Sequence, residues 1–290
     1  MANKIALPVI WQIPDDLWQI IEPIVRPSKQ PGTTGRPPLD PRAVLDGILH
    51  VLRTGCQWNA VPGCFGSSTS IHRYFQGWSR QGRFNLIWQV LTEYYDKLVG
   101  ICWRWLAADC ALVKAVLGGT STGKSPVDRG KLATKRTLLT DKRGAPLALT
   151  VNSGNRTDMR LLDGVLSSLV VDRPAVVKYR PQHLCLDKGF DYQEVDELLI
   201  ELNFRRHIAR KKKGSSPLAP PPRSQKTIYR AKRWVVERTH AWYNRFKKIA
   251  VRSEKSWRNY QGLCDFASAL IIYRMIHRLS RRKHPLRLLG

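Results

Sequence analysis

The feature that most constrains the fold is a change in the spacing of apolar residues near residue 100. Before it, apolar side chains recur every three or four residues, which is the spacing of amphipathic helices. After it, short apolar runs alternate with helical stretches in the order strand, hairpin, helix, strand, helix, strand, helix. This order predicts an α/β fold, in which helices cover a mixed sheet that follows a small all-α region.

The N-terminal region is predicted to contain helices with clear start and stop residues. Asp40 and Pro41 open one of them as an N-cap and a first-turn proline, and Gly55 ends it. The predicted helices cover residues 13–25, 42–53, 70–81 and 84–98. Short helices joined by tight turns favour a helix-turn-helix module, although an ordinary helical bundle fits the same pattern. In the first case, the residues facing DNA are Ser67, Ser68, Thr69, His72 and Arg73.

Beyond residue 100, the predicted strands are short and bounded by turn residues. Asp141 to Gly144 is a hairpin turn signal between strands 134–139 and 146–151. Further strands are predicted at 103–108, 183–186 and 204–209, and helices at 158–171, 192–202, 229–250 and 263–279. Residues 118–130 are predicted to form a mobile loop, and residues 211–226 a second loop.

Two aspartates stand where a ligand can reach the edge of such a sheet. Asp109 and Asp187 each follow an apolar run, and ligands of open α/β sheets bind beyond the carboxyl ends of strands. Glu237, on a helix expected to pack on the sheet, can complete a trio of carboxylates. Oxygen ligands suit Mg²⁺, and two such ions can activate a water or a 3′-hydroxyl. Each aspartate alone is also typical of a turn, and the pattern indicates a turn residue at Asp141 and a helix cap at Asp158.

Glu237 lies among cations on the stretch from Tyr229 to Ala250, which is predicted as one helix. The same side of that helix carries Arg230, Arg233, His240, Asn244 and Lys248. A lone carboxylate there fits a surface ion pair with Arg233, or a catalytic acid beside cations that hold a phosphate backbone. His240 fits a proton donor, a phosphate contact or a structural histidine.

Net charge narrows the choice of partner. The 290-residue chain carries a formal charge of +27, which favours a polyanion because neutralised phosphates release condensed counterions. We therefore expect nucleic acid as the partner, with an anionic membrane surface as the alternative. No run approaches the roughly 18 uninterrupted apolar residues of a membrane span, and residues 1–8 lack the apolar core of a secretory signal.

Other common types of site lack support in the sequence. The six cysteines are scattered without a C-x-x-C pair, which argues against a zinc cluster and fits a reducing cytosol. There is no G-x-S-x-G elbow of a serine hydrolase. The run from Gly118 to Ser125 resembles a Walker loop only loosely, because Thr120 stands where the first glycine is expected.

Several blocks of the sequence resemble the DDE transposases of bacterial insertion sequences, in the insertion-sequence-four/five superfamily. The blocks are Ala108-Asp109-Cys110, 135–141, 154–158, Leu186-Asp187-Lys188-Gly189-Phe190, 233–242 and 252–255. Gly35-Arg36-Pro37-Pro38, Trp58, Pro62 and residues 69–75 are similar to the DNA-binding region of that branch. The resemblance therefore covers nearly the whole chain.

This resemblance implies an RNase H-like core that uses two Mg²⁺ ions, or Mn²⁺, to cut and rejoin double-stranded DNA at terminal inverted repeats. It implies a catalytic and metal-binding triad of Asp109, Asp187 and Glu237. Cutting both element ends together implies a homodimer on DNA. The alternatives are a relative that binds DNA without catalysis, and a metal-dependent nuclease without strand transfer.

The third block departs from the family pattern Y-(2)-R-(3)-E-(6)-K. Arg233 and Glu237 fit, whereas Arg230 occupies the tyrosine position and Asn244 the lysine position. Lys248, one turn later, could supply the missing charge. The predicted DNA contacts are Arg230, Arg233, His240, Asn244, Lys248, Ser68, Thr69, His72 and Arg73.

The resemblance and the periodicity together predict three parts. Residues 1–100 form a helical DNA-binding domain, residues 101–262 a catalytic core with a loop at 210–228, and residues 263–290 a C-terminal helix with a basic tail. We expect a cytoplasmic, nucleoid-associated bacterial protein with no membrane contact.

Overall fold

The structure is a computed structural model that describes residues 10–26, 37–208 and 234–283. Within these residues six strands form one mixed sheet: β1 Trp105–Lys114, β2 Gly123–Lys124, β3 Leu132–Asp141, β4 Pro146–Ser153, β5 Gln182–Leu186 and β6 Phe204–Ile208. Strand β3 pairs antiparallel with β1 on one side and with β4 and β2 on the other. Strands β1, β5 and β6 are parallel. The predicted α/β class with a mixed sheet is therefore confirmed.

Helices cover this sheet and form the region before it. The α-helices of the described chain are α1 Asp15–Val25, α2 Pro41–Thr54, α3 Ser68–Arg80, α4 Arg83–Val99, α5 Met159–Leu166, α6 Gln193–Glu201, α7 at 234–243, α8 Lys247–Ala250 and α9 Trp257–Lys283. The Asp40 carboxylate caps α2 by accepting hydrogen bonds from the N–H groups of Arg42 and Ala43, and Gly55 ends it with φ 74°. These ends agree with the predicted ones.

The connections between the N-terminal helices are less regular than a pair of tight turns. Residues 55–67 join α2 to α3 through two short 3-10 turns, Trp58–Ala60 and Gly63–Phe65. Only two residues, Gln81 and Gly82, join α3 to α4. The all-α region is thus confirmed, and a helix-turn-helix role for it stays a prediction.

Strand β1 does not end before Asp109, which corrects the predicted strand 103–108. It continues to Lys114 because β3 pairs with it along its whole length, with Asp109 opposite Leu138 and Lys114 opposite Ala133. The predicted loop 118–130 also needs correction, since Gly123 and Lys124 pair with the start of β3. Helix α5 ends at Leu166 rather than 171, because the Val170 N–H donates to the Leu147 carbonyl of β4.

The stretch predicted as one helix over 229–250 is divided. Helix α7 stops at residue 243, and Phe246 adopts φ −89° and ψ 101° before α8 begins. The Phe246 ring is buried, so the chain leaves helical geometry where that ring enters the core. Residues 229–233 lie outside the described residues, as does the predicted loop 211–226.

One hydrophobic core joins the N-terminal helices, the sheet and α9. Helix α9 begins at Trp257, earlier than the predicted residue 263, and is buried on nearly every side between α4, α3 and β4. The Trp88 indole of α4 donates a hydrogen bond to the Pro146 carbonyl of β4 at 3.2 Å. Among the described helices, we find none that combines the length and the apolar character needed to cross a membrane.

Candidate active site

Asp109 and Asp187 lie side by side on neighbouring parallel strands. Ala107 of β1 pairs with Cys185 of β5, and each aspartate lies two residues further along its strand direction. Side chains two residues apart point to the same face, and paired strands lie about 5 Å apart. The two carboxylates therefore share one face at the carboxyl end of β5. The structure thus brings together the two aspartates that the sequence singled out.

Glu237 lies within electrostatic range of the Asp109 carboxyl. Burial is the main cause that raises the pKa of the Asp109 carboxyl to about 6, and the charges of Asp187, Glu237 and Asp158 raise it further. A hydrogen bond from the Cys110 N–H acts in the opposite direction. Four carboxylates from β1, β5, α7 and the start of α5 therefore act on one region.

Helix α7 is held against the hairpin between β3 and β4, which fixes where Glu237 lies. The Thr239 hydroxyl donates to the Gly144 carbonyl at 3.0 Å, and the Arg238 guanidinium donates to the Arg143 carbonyl at 2.6 Å. Gly144 has φ +88°, and a Cβ there would lie 2.7 Å from the Thr239 hydroxyl. The hairpin turn thus needs glycine both for its backbone angle and for the contact with α7.

His240 lies where α7 meets β1. It is buried, and its Nε2 lies 3.4 Å from the Asp109 carbonyl oxygen and 3.9 Å from Asp109 Oδ2. Burial and the nearby Arg136 guanidinium lower the pKa of His240 to about 3, so the ring is neutral near pH 7. This burial supports the structural role among the three alternatives for His240, and its roles as a proton donor or a phosphate contact stay predictions.

The burial of Lys248 does not fit the predicted DNA contact of this residue. Lys248 is 5% exposed, and its ammonium group lies 3.6 Å from Glu254 Oε1 and donates to the Cys56 carbonyl at 3.2 Å. The interruption of helical geometry at Phe246 turns Lys248 inward. Lys248 therefore does not replace the missing family lysine. Asn244 is exposed, and its side-chain oxygen accepts a hydrogen bond from Arg136 at 3.2 Å.

Three charged residues of the site were not among the predicted ones. Lys135 pairs with Asp158 at 2.5 Å, and this salt bridge places the Asp158 charge near Asp109. Arg136 is fully buried, with its guanidinium 4.7 Å from the centre of the Tyr243 ring. Two consecutive cations within an apolar strand are the signal that could have identified β3 as part of the site.

The remaining predicted DNA contacts differ in how far their side chains are exposed to solvent. Thr69 and Arg73 are exposed on α3, and Ser68 is half-buried at its start. His72 is stacked on Trp58 with ring centres 4.6 Å apart, and burial is the main cause that lowers its pKa. His72 therefore acts first as a packing residue. Arg230 and Arg233 lie outside the described residues.

The donor set of the site suits a hard divalent cation. Asp109, Asp187 and Glu237 offer carboxylate oxygens, and the pKa of Asp109 is raised by burial first and then by neighbouring negative charges that a cation would neutralise. Asp187 also accepts a hydrogen bond from the Gly189 N–H, which orients it. As the described side chains stand, no group of three His, Cys, Asp or Glu residues is spaced to hold a metal ion. The residues fit by chemistry and proximity, and a cation requires them to draw closer.

The block Arg252 to Lys255 has a structural role. The Arg252 guanidinium is fully buried and donates to the carbonyl oxygens of Thr120, Ser121, Glu254 and Lys255. These bonds fasten the loop after β1 to the segment before α9. They also explain why the loop 118–130 is tied down rather than free over these residues.

Comparison with known proteins identifies relatives for most of the chain. Residues 13–88 match the family described as "Putative transposase of IS4/5 family", and residues 113–272 match the family "Transposase DDE domain". A Burkholderia cepacia protein of insertion element IS402, of 16.2 kDa and uncharacterised, is 34% identical over 39% of this chain and 80% of its own length. The "Putative transposase for insertion sequence element IS402" of the same organism is 27% identical over 56% of this chain and 72% of its own length.

Among solved structures, the piggyBac transposase synaptic complex with hairpin DNA is similar in fold. Its TM-score is 0.53 at 9% identity, over 97% of this chain and 76% of that chain. The sheet, in which β1, β2, β3 and β4 pair antiparallel and β5 and β6 continue parallel to β1, and the carboxylates at the end of β5 define an RNase H-like core. The chain belongs to the DDE transposase family, and it is a transposase of the insertion-sequence type.

Proposed function

We propose that this transposase binds the terminal inverted repeats of its insertion sequence and cuts and rejoins DNA with Asp109, Asp187 and Glu237. The observation that supports this assignment is the strand register that sets Asp109 beside Asp187, together with the electrostatic effect of Asp187 and Glu237 on the Asp109 carboxyl. These are the three carboxylates that the sequence pattern singled out at two strands and one helix.

The family uses divalent metal ions, and we propose that this chain holds two Mg²⁺ ions, or Mn²⁺, through the same three side chains. When bound, such ions lower the pKa of an attacking water or hydroxyl and stabilise the charge on the leaving oxygen. Asp109 lies within β1 and Asp187 directly follows β5, while Glu237 is exposed on α7 and can adjust. This arrangement supports closure of the site when DNA binds.

The chemistry consists of two in-line displacements at phosphorus. In the first, water attacks the phosphodiester at an element end, the P–O3′ bond breaks, and the 3′ oxygen leaves with a proton. In the second, that 3′-hydroxyl attacks a target phosphodiester and displaces the target 3′ oxygen. In each step the carboxylates surround the attacking and the leaving oxygen. The buried His240 keeps β1 and α7 together.

DNA is the partner in both steps. We propose that Thr69, Arg73 and Ser68 at the start of α3 contact the repeats, and that Asn244, with Arg230 and Arg233, contacts the backbone near Glu237. The exposure of Thr69, Arg73 and Asn244 supports these contacts. We further propose a homodimer on DNA, since two element ends must be cut and joined together.

Strand transfer distinguishes a transposase from a plain nuclease. The experiment supplies the purified full chain with Mg²⁺, a labelled duplex whose terminal repeat is already cut to expose the 3′-hydroxyl, and a circular target plasmid. We expect the label to become covalently joined to the plasmid. A matched duplex with a 3′-deoxy end must give no joined product. If uncut repeats are cleaved but the 3′-hydroxyl end never joins the plasmid, the chain is a nuclease instead.

A further inference from the structure

Five arginines from four parts of the chain gather on the side of α7 next to Glu237. They are Arg53 at the end of α2, Arg238 on α7, Arg245 after α7, and Arg274 and Arg278 on α9, and we call them the arginine cluster. Electrostatic repulsion links Arg274 to Arg53, Arg245 and Arg278, and links Arg278 to Arg238. The cluster is therefore continuous rather than a set of separate surface cations.

Three members of the cluster have no carboxylate partner at salt-bridge distance among the residues that the structure describes. Within the described part of the chain, Arg53, Arg238 and Arg245 form no salt bridge with a carboxylate. Burial, and then the charge of Arg274, lowers the pKa of Arg53 to about 10. Like charges held this close cost stability, and a bound anion would offset that cost.

Two members of the cluster also have donors without acceptors. The Nε and Nη2 atoms of Arg53 and the Nε of Arg238 are buried and find no hydrogen-bond partner among the described residues. Buried polar groups are nearly always paired, so a missing partner asks for an explanation. A guanidinium group presents its N–H donors in a planar fork that matches the spacing of phosphate oxygens.

Aromatic rings hold the half-buried arginines in place. The Arg238 guanidinium lies between Trp234 and Trp242, 4.5 and 4.8 Å from the ring centres. Arg53 lies 5.3 Å from the centre of the Phe246 ring. Arg245 and Arg278 remain exposed. The cluster is therefore a fixed base with an open cationic edge.

The position of the cluster relates it to the carboxylates. Glu237 and Arg238 are consecutive on α7, so their side chains leave the helix about 100° apart. The carboxylates lie on one side of α7 and the cluster on the adjacent side. A duplex with its scissile phosphate at Glu237 can continue over α7 onto Arg245 and Arg278.

We infer that the arginine cluster is a second phosphate-binding surface, which holds the backbone of double-stranded DNA next to the segment that is cut. This rests on the proposed function, because DNA is the ligand in both. The cluster binds phosphates without reading bases, so it contributes affinity and position rather than sequence preference.

The salt dependence of DNA binding tests this inference. Binding of a labelled terminal-repeat duplex to the full chain is measured by fluorescence anisotropy in EDTA, over about 50–300 mM NaCl. We compare the wild type with Arg245→Ala/Arg278→Ala. The control is Lys178→Ala/Arg205→Ala, which removes two exposed cations near β6, at the opposite edge of the sheet. Arg245→Lys/Arg278→Lys keeps both charges.

We expect Arg245→Ala/Arg278→Ala, the cluster variant, to make the slope of log K against log salt less steep by about 1.8. Each phosphate contact contributes about 0.9 to the steepness of this slope. At about 0.1 M salt, the affinity of the cluster variant falls roughly tenfold or more, whereas the lysine variant and the control stay near wild type. An unchanged slope in the cluster variant, or an equal fall in the control, overturns the inference. Cleavage in Mg²⁺ is measured on the same proteins: a wild type that neither binds nor cuts the duplex overturns the proposed function itself.

Discussion

Asp109 is a residue at which the needs of stability and chemistry conflict. Its carboxyl is mostly buried, with a side chain 28% exposed, and three other carboxylates act on it. The folded protein therefore holds the Asp109 proton more tightly than the unfolded chain does. Stability from this group is present below about pH 4 and falls as the pH rises through about 6.

Replacement of Asp109 by Asn is predicted to stabilise the metal-free protein above pH 6. The gain is about 1–2 kcal/mol, discounted for partial exposure, because Asn removes a charge that the fold disfavours. Thermal unfolding in EDTA at pH 8 and pH 4.5 measures the gain in stability, which is expected to be much smaller at pH 4.5. Mg²⁺ should raise the Tm of the wild type but not of the variant. A lower Tm for Asp109→Asn at pH 8 contradicts the account.

Asp265 offers a similar test away from the active site. It is buried in α9, and burial raises the pKa of its carboxyl to about 7, against a hydrogen bond from Gln261. The unfolded chain ionises near pH 4 and the folded chain near pH 7, so stability from this group falls as the pH rises between these values. We predict that Asp265→Asn raises the free energy of unfolding at pH 8 by about 2–4 kcal/mol, and by much less at pH 4.5.

The control for this prediction is Asp172→Asn, which changes an exposed carboxylate. Urea unfolding of both variants at the two pH values separates the buried acid from a general loss of negative charge. The same gain in both variants would show that overall charge, rather than the buried carboxyl of Asp265, sets the pH dependence.

Sequence reasoning located the acids of the site better than its other side chains. Asp109, Asp187 and Glu237 could be predicted because their places depend on strand order and a family pattern. The burial of His240 and Lys248 could not, because it depends on how α7 and the segment after it pack against β1 and α2. Asp158 looked like a cap, yet its side chain caps nothing and pairs with Lys135 instead.

At the scale of elements, the contact of α7 with the β3–β4 turn decides where Glu237 lies. Gly144 forms this contact, since its carbonyl accepts from Thr239 and its Cα has no room for a methyl group. The turn itself is tightened by Asp141, which accepts hydrogen bonds from the N–H groups of Arg143 and Ala145. The predicted hairpin therefore also holds the helix that carries Glu237.

We predict that Gly144→Ala destabilises the protein by about 2 kcal/mol or more, because it strains a positive φ and pushes Thr239 away. DNA cleavage should fall further than the loss of folded protein explains, since α7 carries Glu237. Gly164→Ala is the matched control: it lies on α5 with open space around its Cα. It should stabilise by about 0.5–1 kcal/mol. Equal activity per folded molecule in Gly144→Ala contradicts the role of the turn.

The differences between predicted and observed elements have a common cause. Strand β1 extends to Lys114 because β3 pairs with it, although the run from Asp109 is less apolar than the run before it. Helix α7 stops before Phe246 because that ring is buried. Local periodicity reports neither a pairing partner nor a buried anchor, so boundaries moved, β2 was not predicted and one predicted helix is divided, while the order of the other elements agrees with the prediction.

At the scale of the whole molecule, a buried charged contact joins the N-terminal helical region to the segment before α9. Glu254 accepts a hydrogen bond from the Trp58 indole at 2.9 Å and lies 3.6 Å from the Lys248 ammonium group. Both charged side chains are less than a tenth exposed. The two regions that periodicity distinguished thus share a polar contact as well as one hydrophobic core.

Glu254→Ala is predicted to lower the free energy of unfolding by about 3–5 kcal/mol, because it leaves the Lys248 charge buried without its partner. The double variant Glu254→Ala/Lys248→Met should recover much of that loss, which a double-mutant cycle in urea measures. Glu22→Ala, in a more exposed pair with Arg26, should change stability by less than about 1 kcal/mol. A double variant no more stable than Glu254→Ala would show that Lys248 is not the source of the cost.

The account of the whole molecule depends on the three carboxylates acting as one site, and Mg²⁺-dependent cleavage of terminal-repeat DNA by Asp187→Asn tests this most directly. DNA binding by the variant, measured in EDTA, serves as the control for folding and substrate contact. We predict that the variant binds the duplex as the wild type does and cuts it at least about a hundredfold more slowly. Cleavage at the wild-type rate by Asp187→Asn would contradict the assignment of the active site.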